Sequence, residues 1–597
     1  MSDEFTRRDA IAILTVTGLG GIAGTSAAAR RGNDDYDHEG EPTLNRLATT
    51  VRGAEITGMY LTQPGRFFFN IQHPSDENDK PYNKGTVGAL IGTNLNTLPQ
   101  DFASVQVPDN KEEAETVHTA VGQYQALANG GDQTDNGKKL GIPYSADGEP
   151  MTDGNNPDYN GFIPADQPNE GYLFTNWETR PGMVSRLHIR MQGRQEGGPN
   201  QWNVLGSENV NFRDVEGTWN NCFGTVTPWK TPLTSEEYEP NAAQWYTAGN
   251  SARERMSEYL GRTANPYRYG YIIEIEDPTG TPTPVKQFAM GRFSHENAVV
   301  MPDQRTVYLS DDGTGTIFFK FVADTPGDLS AGTLYAAKAT QDAGSNVATT
   351  GFDLQWIKLA HGTHDQVESW IAEYDDQEPG SNADYITDAE VKRWARGKAK
   401  DDCVAFLESR KAAAVKGATN EFRKMEGVNI KRNAKPGDYL YMAMSNTNKT
   451  MLSNKDASSE NDDPQDEIQL EGNEWGAVYR MQLGAEYNVS RMEPVVTGGP
   501  NANICGGCPY DAQPNSASTV CQDCEHNPTQ EDENGIVGKG MTSMKQAFSS
   551  QESYDPENTI SEPDNIVVMD DGRVIIGEDT GNEGHDPPNM IWVYNPN

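Results

Sequence analysis

Basic residues are scarce in this chain of 597 residues, which has 48 lysines and arginines against 88 aspartates and glutamates and a formal net charge of −40. Because binding to phosphate backbones needs clustered lysine and arginine, this balance argues against nucleic acid as a partner and against an anionic membrane surface. Carboxylates spread along a whole chain keep its surface hydrated where salt screens their mutual repulsion. The composition therefore predicts adaptation to high salt.

Long hydrophobic runs are also missing, and no stretch after the first 29 residues approaches the length of a membrane span. Those first residues combine the pair Arg7-Arg8, a modest apolar run over 10–23 and three alanines at 27–29. This order predicts a twin-arginine signal peptide over 1–29, and a membrane anchor is the alternative. Residues 30–45 then predict a solvated linker. We expect the mature protein to be extracellular or at the cell surface, without a stable membrane span.

Short β-type runs separated by Asp-Gly turns recur along the chain. Residues 306–310 and 316–322 flank Asp311-Asp312-Gly313, residues 565–569 and 573–577 flank a similar turn, and residues 439–444 form another run. Many short hairpins of this kind predict a mainly β fold, a β-propeller-like closed ring with helical and loop insertions. Because the sequence has no clean repeat period, it leaves the number of blades open.

Other regions interrupt the pattern within a single predicted domain over 46–597. Residues 387–416 combine charged with apolar residues at helical spacing and predict a helical insertion, in which Cys403 packs as a small apolar side chain. Residues 97–170 and 452–470 are rich in Asp, Asn and Gly without periodicity. They predict long surface insertions that carry no chemistry.

Four of the six cysteines form two C-x-x-C pairs, Cys505 with Cys508 and Cys521 with Cys524, twelve residues apart. Two such pairs at this spacing are typical of a structural zinc site. Disulfides formed outside the cell are the competing interpretation. In either case the segment 505–524 predicts a structural clip rather than a catalytic centre.

Cys222 stands among Asn, Gly and carboxylates, and this setting indicates either a thiolate metal ligand or a buried free thiol. Acidic residues recur at the edges of the β-type runs, where the strand ends of a closed ring can project carboxylates toward a common axis. For any single acidic pair, a solvated surface is the alternative. Hard oxygen ligands in this number suit calcium or ferric iron. The candidate metal ligands are Cys222, Glu237, Glu296, Asp312, Glu426, Asp564 and Asp579.

Taken in order, these motifs resemble the PhoX-type alkaline phosphatase family. The resemblance rests on W-N-N-C ending at Cys222 with T-P-W and L-T-x-E-E ending at Glu237, and on G-R-F-x-H-E ending at Glu296. It continues in V-Y-L-S-D-D ending at Asp312, in M-E-G and in P-D-N, and it covers most of residues 50–597. A segment over 55–74 resembles the family's C-terminal end although it comes first here, a shift that a ring with meeting ends accommodates.

The resemblance implies an exported phosphatase that hydrolyses small phosphomonoesters with a cluster of ferric iron and calcium and a metal-activated oxygen nucleophile. On this reading Cys222 corresponds to the iron-binding thiolate, Glu296 and Glu426 to carboxylates shared between metals, and Asp564 to a further ligand. Glu237, Asp312 and Asp579 are the weaker candidates, for calcium.

One departure concerns the family's R-P-E-G motif, which reads Lys424-Met425-Glu426-Gly427 here. The arginine expected to grip phosphate is replaced by Lys424, a point charge rather than a fork. Arg423 is the other catalytic candidate. Because neighbouring residues of a strand point to opposite faces, Arg423 would point away from the face that Lys424 occupies. The alternatives are another metal-dependent propeller hydrolase, such as a lactonase or phosphodiesterase, and a non-catalytic, calcium-stabilised surface protein.

Overall fold

The computed structural model describes residues 42–108, 112–193, 198–380, 382–453, 466–498, 559–580 and 589–596. The predicted signal peptide, most of the predicted linker and the clip formed by Cys505, Cys508, Cys521 and Cys524 lie outside these residues. Strands dominate the described part of the chain. None of its helices has the length and apolarity needed to span a membrane.

The described residues form three four-stranded sheets, one five-stranded, one nine-stranded and one two-stranded sheet. Apart from the two-stranded sheet, these divide into six antiparallel units of four main strands each, here called blades 1 to 6. Blade 1 contains β2 (Glu55–Leu61), β3 (Phe67–Gln72), β4 (Thr86–Ile91) and β6 (Gln123–Asn129). Blade 2 contains β7 (Pro157–Pro164), β8 (Glu170–Trp177), β9 (Met183–Gln192) and β10 (Gln201–Asn209). Blade 3 contains β11 (Asn221–Val226), β12 (Pro232–Glu236), β13 (Ile272–Glu276) and β14 (Thr283–Lys286).

Blades 4 and 5 are joined at their outer edges into one nine-stranded sheet. Blade 4 contains β15 (His295–Val300), β16 (Thr306–Asp311), β18 (Phe319–Thr325) and β19 (Asp328–Gln341), with β20 (Phe352–Thr363) as a fifth strand. Blade 5 contains β22 (Met425–Ile430), β23 (Tyr439–Met444), β24 (Ala477–Gln482) and β25 (Arg491–Thr497), and β25 pairs with β20. A separate two-stranded sheet pairs β17 (Thr314–Thr316) with β21 (Phe422–Arg423).

Blade 6 closes the ring by combining both ends of the described chain. It contains β26 (Pro563–Val568), β27 (Val574–Glu578), β28 (Met590–Asn595) and β1 (Thr43–Thr49), with the short β5 (His118–Thr119) beyond β1. The register of β1 with β28 runs from the Thr43–Asn595 pair to the Thr49–Met590 pair. The inner strands β2, β7, β11, β15, β22 and β26 pack one on the next around the ring, and β26 packs on β2. The predicted closed propeller is confirmed, with six blades among the described residues.

The core lies in the gaps between adjacent blades, so the strands are buried on both faces. Successive residues of a strand point to opposite faces. Phe67 and Phe69 therefore pack into the gap between blades 6 and 1, whereas Phe68 packs into the gap between blades 1 and 2. In blade 5, Leu440 faces blade 4 and Tyr441 faces blade 6. This two-sided burial explains why the strands read as continuous apolar runs.

The predicted helical insertion is present as three short helices, α4 (Asp388–Ala395), α5 (Cys403–Leu407) and α6 (Ser409–Val415). A capping box of Thr387 and Glu390 starts α4, and Cys403 packs against the core of blades 3 and 4. Three other helices are α1 (Ala242–Trp245), α2 (Ser251–Leu260) and α3 (His364–Ala372).

The prediction that 97–170 is a surface insertion is wrong in part. The segment contains β6, the outer strand of blade 1, and β7, the inner strand of blade 2. These strands are short and separated by Gly- and Asn-rich turns, which hid their periodicity. The other predicted insertion, 452–470, lies largely outside the described residues.

Candidate metal centre

The inner strands of blades 2 to 6 share a β-bulge at their start. In blade 2, Pro157 on β7 pairs with Trp177 on β8, and the next pair is Asn160 with Thr175. The inner strand therefore advances three residues where β8 advances two, which means that β7 carries one extra residue. A bulge re-aims side chains and bends the strand locally. The same step occurs in the other four blades, over 221–224, 295–298, 425–428 and 563–566.

The first residue inside each bulge carries an acidic or thiol side chain. Three sets of these side chains and their neighbours bring ligand atoms within 4.8 Å of one another: Asp158 with Glu178 and Cys222; Cys222 with Glu237 and Glu296; and Glu296 with Glu426 and Asp564. Because Cys222 and Glu296 each belong to two sets, the three form one continuous cluster. The bulge residues are Asp158, Cys222, Glu296, Glu426 and Asp564.

A second repeat follows the second strand of the same five blades. In blade 2, β8 ends at Trp177, which pairs with the residue before the bulge, and the next residue is Glu178. The corresponding residues in blades 2 to 6 are Glu178, Glu237, Asp312, Ser445 and Asp579. Four of these five positions are acidic, so each blade can present polar ligands in two layers.

Blade 1 departs from this repeat, and the reason is steric. Its bulge contains Gly58, where a Cβ would lie 2.4 Å from the carbonyl oxygen of Asp158 and 2.3 Å from Nδ2 of Asn70. No side chain fits there. The blade instead has Glu55 at the start of β2, where burial and then the charges of Asp579 and Asp158 raise the pKa of its carboxyl. Its Oε2 lies 3.1 Å from Nε2 of His73.

The structure brings together five of the sequence-predicted ligands: Cys222, Glu237, Glu296, Glu426 and Asp564. Asp312 lies beside them, joined through Lys424 to Glu426. Asp579 is near enough to raise the pKa of the carboxyls of Asp158 and Asp564 by repulsion.

Sequence reasoning missed Glu55, Asp158 and Glu178. Asp158 lies in the segment interpreted as an insertion without chemistry, but the structure places it on β7 with a ligand atom within 4.8 Å of those of Glu178 and Cys222. One signal was available, because Pro157-Asp158 and Pro563-Asp564 are the same dipeptide at the start of a β-type run.

The pKa shifts of the acidic groups indicate that this cluster needs positive charge within it. Burial raises the pKa of Asp158, Glu296 and Asp564 well above the usual carboxyl range, and the neighbouring carboxylates raise it further. Burial also raises the pKa of the Cys222 thiol. These groups cannot all ionise together unless cations lie among them.

Orphaned acceptors point the same way. Both carboxylate oxygens of Glu296, and Oδ1 of Asp158, are buried without a hydrogen-bond partner in the described part of the chain. Buried polar atoms are normally satisfied, so an unpartnered pair of oxygens marks a place for a cation. Many hard oxygens with one thiolate form a donor set that suits calcium and ferric iron.

Lys424 places a positive side chain against the cluster. It lies between β21 and β22 with a left-handed φ of 45°, and its Nζ is 2.8 Å from Oε1 of Glu426 and 3.3 Å from Asp312. Its charge and hydrogen bond hold the pKa of Glu426 to about 7, although burial and Asp312 raise it. Arg423 donates to Oγ1 of Thr314 and to Asn446. The two basic candidates therefore face different neighbours, and Lys424 faces the cluster.

We expect the metal-stripped protein to lose thermal stability as the pH rises from about 5 to 8. A carboxyl whose pKa is raised in the folded state stabilises the fold fully below its ordinary pKa, and this stabilisation is lost as the pH rises through the raised pKa. For Glu426 that window runs from its ordinary pKa of 4.5 to about 7. Calcium should restore stability most at high pH, because it binds the deprotonated form.

The measurement is Tm by calorimetry in concentrated salt, with chelator or with calcium, at pH 5, 6, 7 and 8. The difference between the Tm with calcium and the Tm with chelator is expected to widen by a few degrees from pH 5 to pH 8. A gap that is independent of pH would contradict metal binding by these carboxylates.

Comparison with solved structures gives distant likenesses. One is PhoX of Pseudomonas fluorescens in complex with vanadate, a transition-state analogue, with 18% identity, a TM-score of 0.48 and coverage of 78% of this chain and 80% of that chain. A gluconolactonase of Xanthomonas campestris has 9% identity and a TM-score of 0.29, with coverage of 93% and 89%. At these TM-scores the likenesses carry no weight, and the fold assignment rests on the closed ring itself.

A search of curated proteins found no match. Residues 184–593 match the family model described as alkaline phosphatase PhoX. The match includes Cys222, Glu296, Glu426 and Asp564, and it begins after the inner strand of blade 2 and all of blade 1. It covers more than half of the chain, which therefore belongs to the PhoX alkaline phosphatase family.

Proposed function

We propose that this protein is an exported, metal-dependent phosphatase that hydrolyses phosphomonoesters. The observation that carries the proposal is the cluster at the start of the inner strands, where carboxylates from several blades meet one thiol and one lysine. Family membership supports phosphatase chemistry. Export by the twin-arginine route, suggested by residues 1–29, is part of the proposal.

Ferric iron and calcium are the proposed metals. Cys222 with Glu237 and Glu296 would hold iron, and the further carboxylates, Glu426 and Asp564 among them, would hold calcium. When bound, the ions would neutralise the phosphoryl oxygens and supply an activated oxygen nucleophile. A structural zinc ion at the four clustered cysteines remains a separate prediction.

The chain's own side chains position the substrate. Lys424 offers its Nζ as a point charge for a phosphoryl oxygen, and Glu426 and Asp312 fix its position. Tyr238 steadies Asp312 in turn, because its hydroxyl donates to Oδ2 over 2.6 Å. The charge of the bound metals would also offset the repulsion that a dianionic substrate meets from a protein of net charge −40.

The test is elemental analysis of protein folded and purified in high salt, together with turnover of p-nitrophenyl phosphate. Iron and calcium found with turnover would support the proposal. Zinc alone, near one per chain and without turnover, would contradict it and leave only a structural metal.

Lys424→Ala is expected to lower kcat/KM for p-nitrophenyl phosphate by about 10- to 100-fold, mainly through KM, because a charge-assisted contact to the phosphoryl group is lost. Lys424→Arg should retain or increase kcat/KM, since the guanidinium binds phosphate with two N–H groups. Steady-state kinetics with a parallel measurement of metal content separates substrate binding from metal loss.

The matched control is Lys431→Ala, which removes a lysine paired with Asp438 on the same blade. It should leave both kinetic constants unchanged. Equal kinetics in Lys424→Ala and the native protein would remove Lys424 from the proposed site.

A further inference from the structure

Arg180 lies near the metal centre without an acidic partner. Of the residues that the structure describes, none forms an ion pair or hydrogen bond with its guanidinium, and its Nε is buried and unsatisfied. The side chain is half-buried, so the accessible part of the guanidinium is its Nη edge. Other described arginines, such as Arg213 and Arg292, also lack an ion pair, but their guanidiniums donate to backbone carbonyl oxygens, whereas that of Arg180 has neither kind of partner among the described residues.

Two aromatic rings fix this arginine in place. The guanidinium carbon lies 5.2 Å from the ring centre of Trp219 and 5.6 Å from that of Tyr238. The Trp219 indole donates to the carbonyl oxygen of Tyr238 over 2.9 Å, which ties the two rings together. Stacking on aromatic faces orients a guanidinium and leaves its N–H edge free for an anion.

The three residues are neighbours of the metal centre along the chain. Arg180 follows Glu178 by two positions, Tyr238 directly follows Glu237, and Trp219 precedes Cys222 by three.

Tyr238 connects this trio to the lysine. Its ring faces Arg180, and its hydroxyl donates to Oδ2 of Asp312, the oxygen that also lies 3.3 Å from Nζ of Lys424. Tyr238 is 43% exposed and Arg180 is half-buried, so both side chains reach solvent, whereas Trp219 is buried behind them.

We propose that Arg180, held by Trp219 and Tyr238, binds a second anionic group on the leaving-group side of the substrate. This inference rests on the proposed phosphatase function. Lys424 and the bound metals would meet the transferred phosphoryl group, and Tyr238 lies between Arg180 and the Asp312–Lys424 pair. A planar carboxylate or a second phosphate matches the two N–H groups of the Nη edge. The preferred substrates are therefore phosphomonoesters that carry an additional anionic group.

The test compares 4-carboxyphenyl phosphate with its neutral analogue of similar shape, 4-carbamoylphenyl phosphate. In the native holoenzyme, kcat/KM should favour the carboxylate by about 10- to 100-fold, which is the range for a hydrogen bond to a charged group. Arg180→Gln should abolish this preference and leave turnover of the carbamoyl compound unchanged. Arg180→Lys should retain part of the preference.

The control Arg190→Gln removes an arginine paired with Glu170 on blade 2 and should keep the full preference. The inference is overturned if the native enzyme shows no preference, or if Arg180→Gln lowers kcat/KM equally for both compounds, because the residue would then act on the phosphoryl group or on the fold.

Failure of the phosphatase proposal itself has a different signature. Neither compound would then be turned over, and calorimetric titration of the same pair would decide about Arg180. Tighter binding of the carboxylate by the native protein but not by Arg180→Gln would support the subsite. Equal binding of the two compounds by the native protein would overturn it.

Discussion

Replacing Cys222 with serine is expected to lower kcat/KM for p-nitrophenyl phosphate by more than about 100-fold. Losing a residue that only hydrogen-bonds to a metal ligand usually lowers activity by about 10- to 100-fold, so a direct ligand should exceed that range. Cys222 belongs to two of the three ligand sets, and Glu296 and Asp158 lie beside it. Burial raises the pKa of its thiol, so only a bound cation would hold it as thiolate there. A serine hydroxyl is far less acidic and does not replace a thiolate on iron.

The measurement combines kinetics with iron content and with the visible absorption of a thiolate–iron bond. Cys403→Ser is the matched control, because Cys403 is the other free cysteine among the described residues. It lies within the helical insertion, at the start of α5, and packs against the core of blades 3 and 4. Cys403→Ser should retain native iron and turnover. Turnover that survives Cys222→Ser would favour another metal-dependent hydrolase over an iron enzyme.

Replacing Glu296 with glutamine is expected to have a comparable effect on turnover and to remove more than one kind of metal. Glu296 is the residue shared between the thiol-containing set and the set with Glu426 and Asp564. Both of its oxygens are buried without hydrogen-bond partners in the described part of the chain. Glutamine keeps the shape but loses the charge, so iron and calcium should both fall.

Folding has to be separated from metal loss in this variant. Removing one buried negative charge relieves repulsion, so metal-stripped Glu296→Gln should be at least as stable as metal-stripped native protein. Glu274→Gln is the control, since Glu274 is also a buried glutamate but accepts hydrogen bonds from Trp229, Thr231 and Gln287 away from the cluster. It should keep native metals. Unchanged iron and calcium in Glu296→Gln would exclude Glu296 as a shared ligand.

The hairpins were predictable from local sequence, because an apolar run before an Asp-Gly turn favours paired strands wherever it occurs. Tyr439–Met444 matches the predicted run, and the runs around Asp570-Asp571-Gly572 became β26 and β27. The blade count was not predictable, since the loops between equivalent bulges differ greatly in length and no fixed period results.

Glu55 shows why part of the site needed coordinates. It opens the segment that resembles the family's C-terminal end, but nothing in that resemblance marks it as a ligand. Only the structure places it near Asp579 and Asp158, since burial and then the charges of these two residues raise the pKa of its carboxyl. Likewise, Gly58 has no room for a side chain because of the carbonyl oxygen of Asp158 on the next blade, which only ring packing brings near.

The sequence by itself determined the strands, the acidic surface and the family resemblance, because composition, turn chemistry and ordered motifs are local properties of the chain. It also singled out Cys222 and Glu296 as candidate ligands, and the structure brings them into one cluster. The tertiary structure decided that six blades close through β1 and β28, that Asp158 and Glu178 join the cluster, and that Arg180 lies apart from every described carboxylate. Those facts depend on which inner strands begin close to one another around the axis of the ring. Residues hundreds of positions apart in the chain become neighbours only when the ring closes.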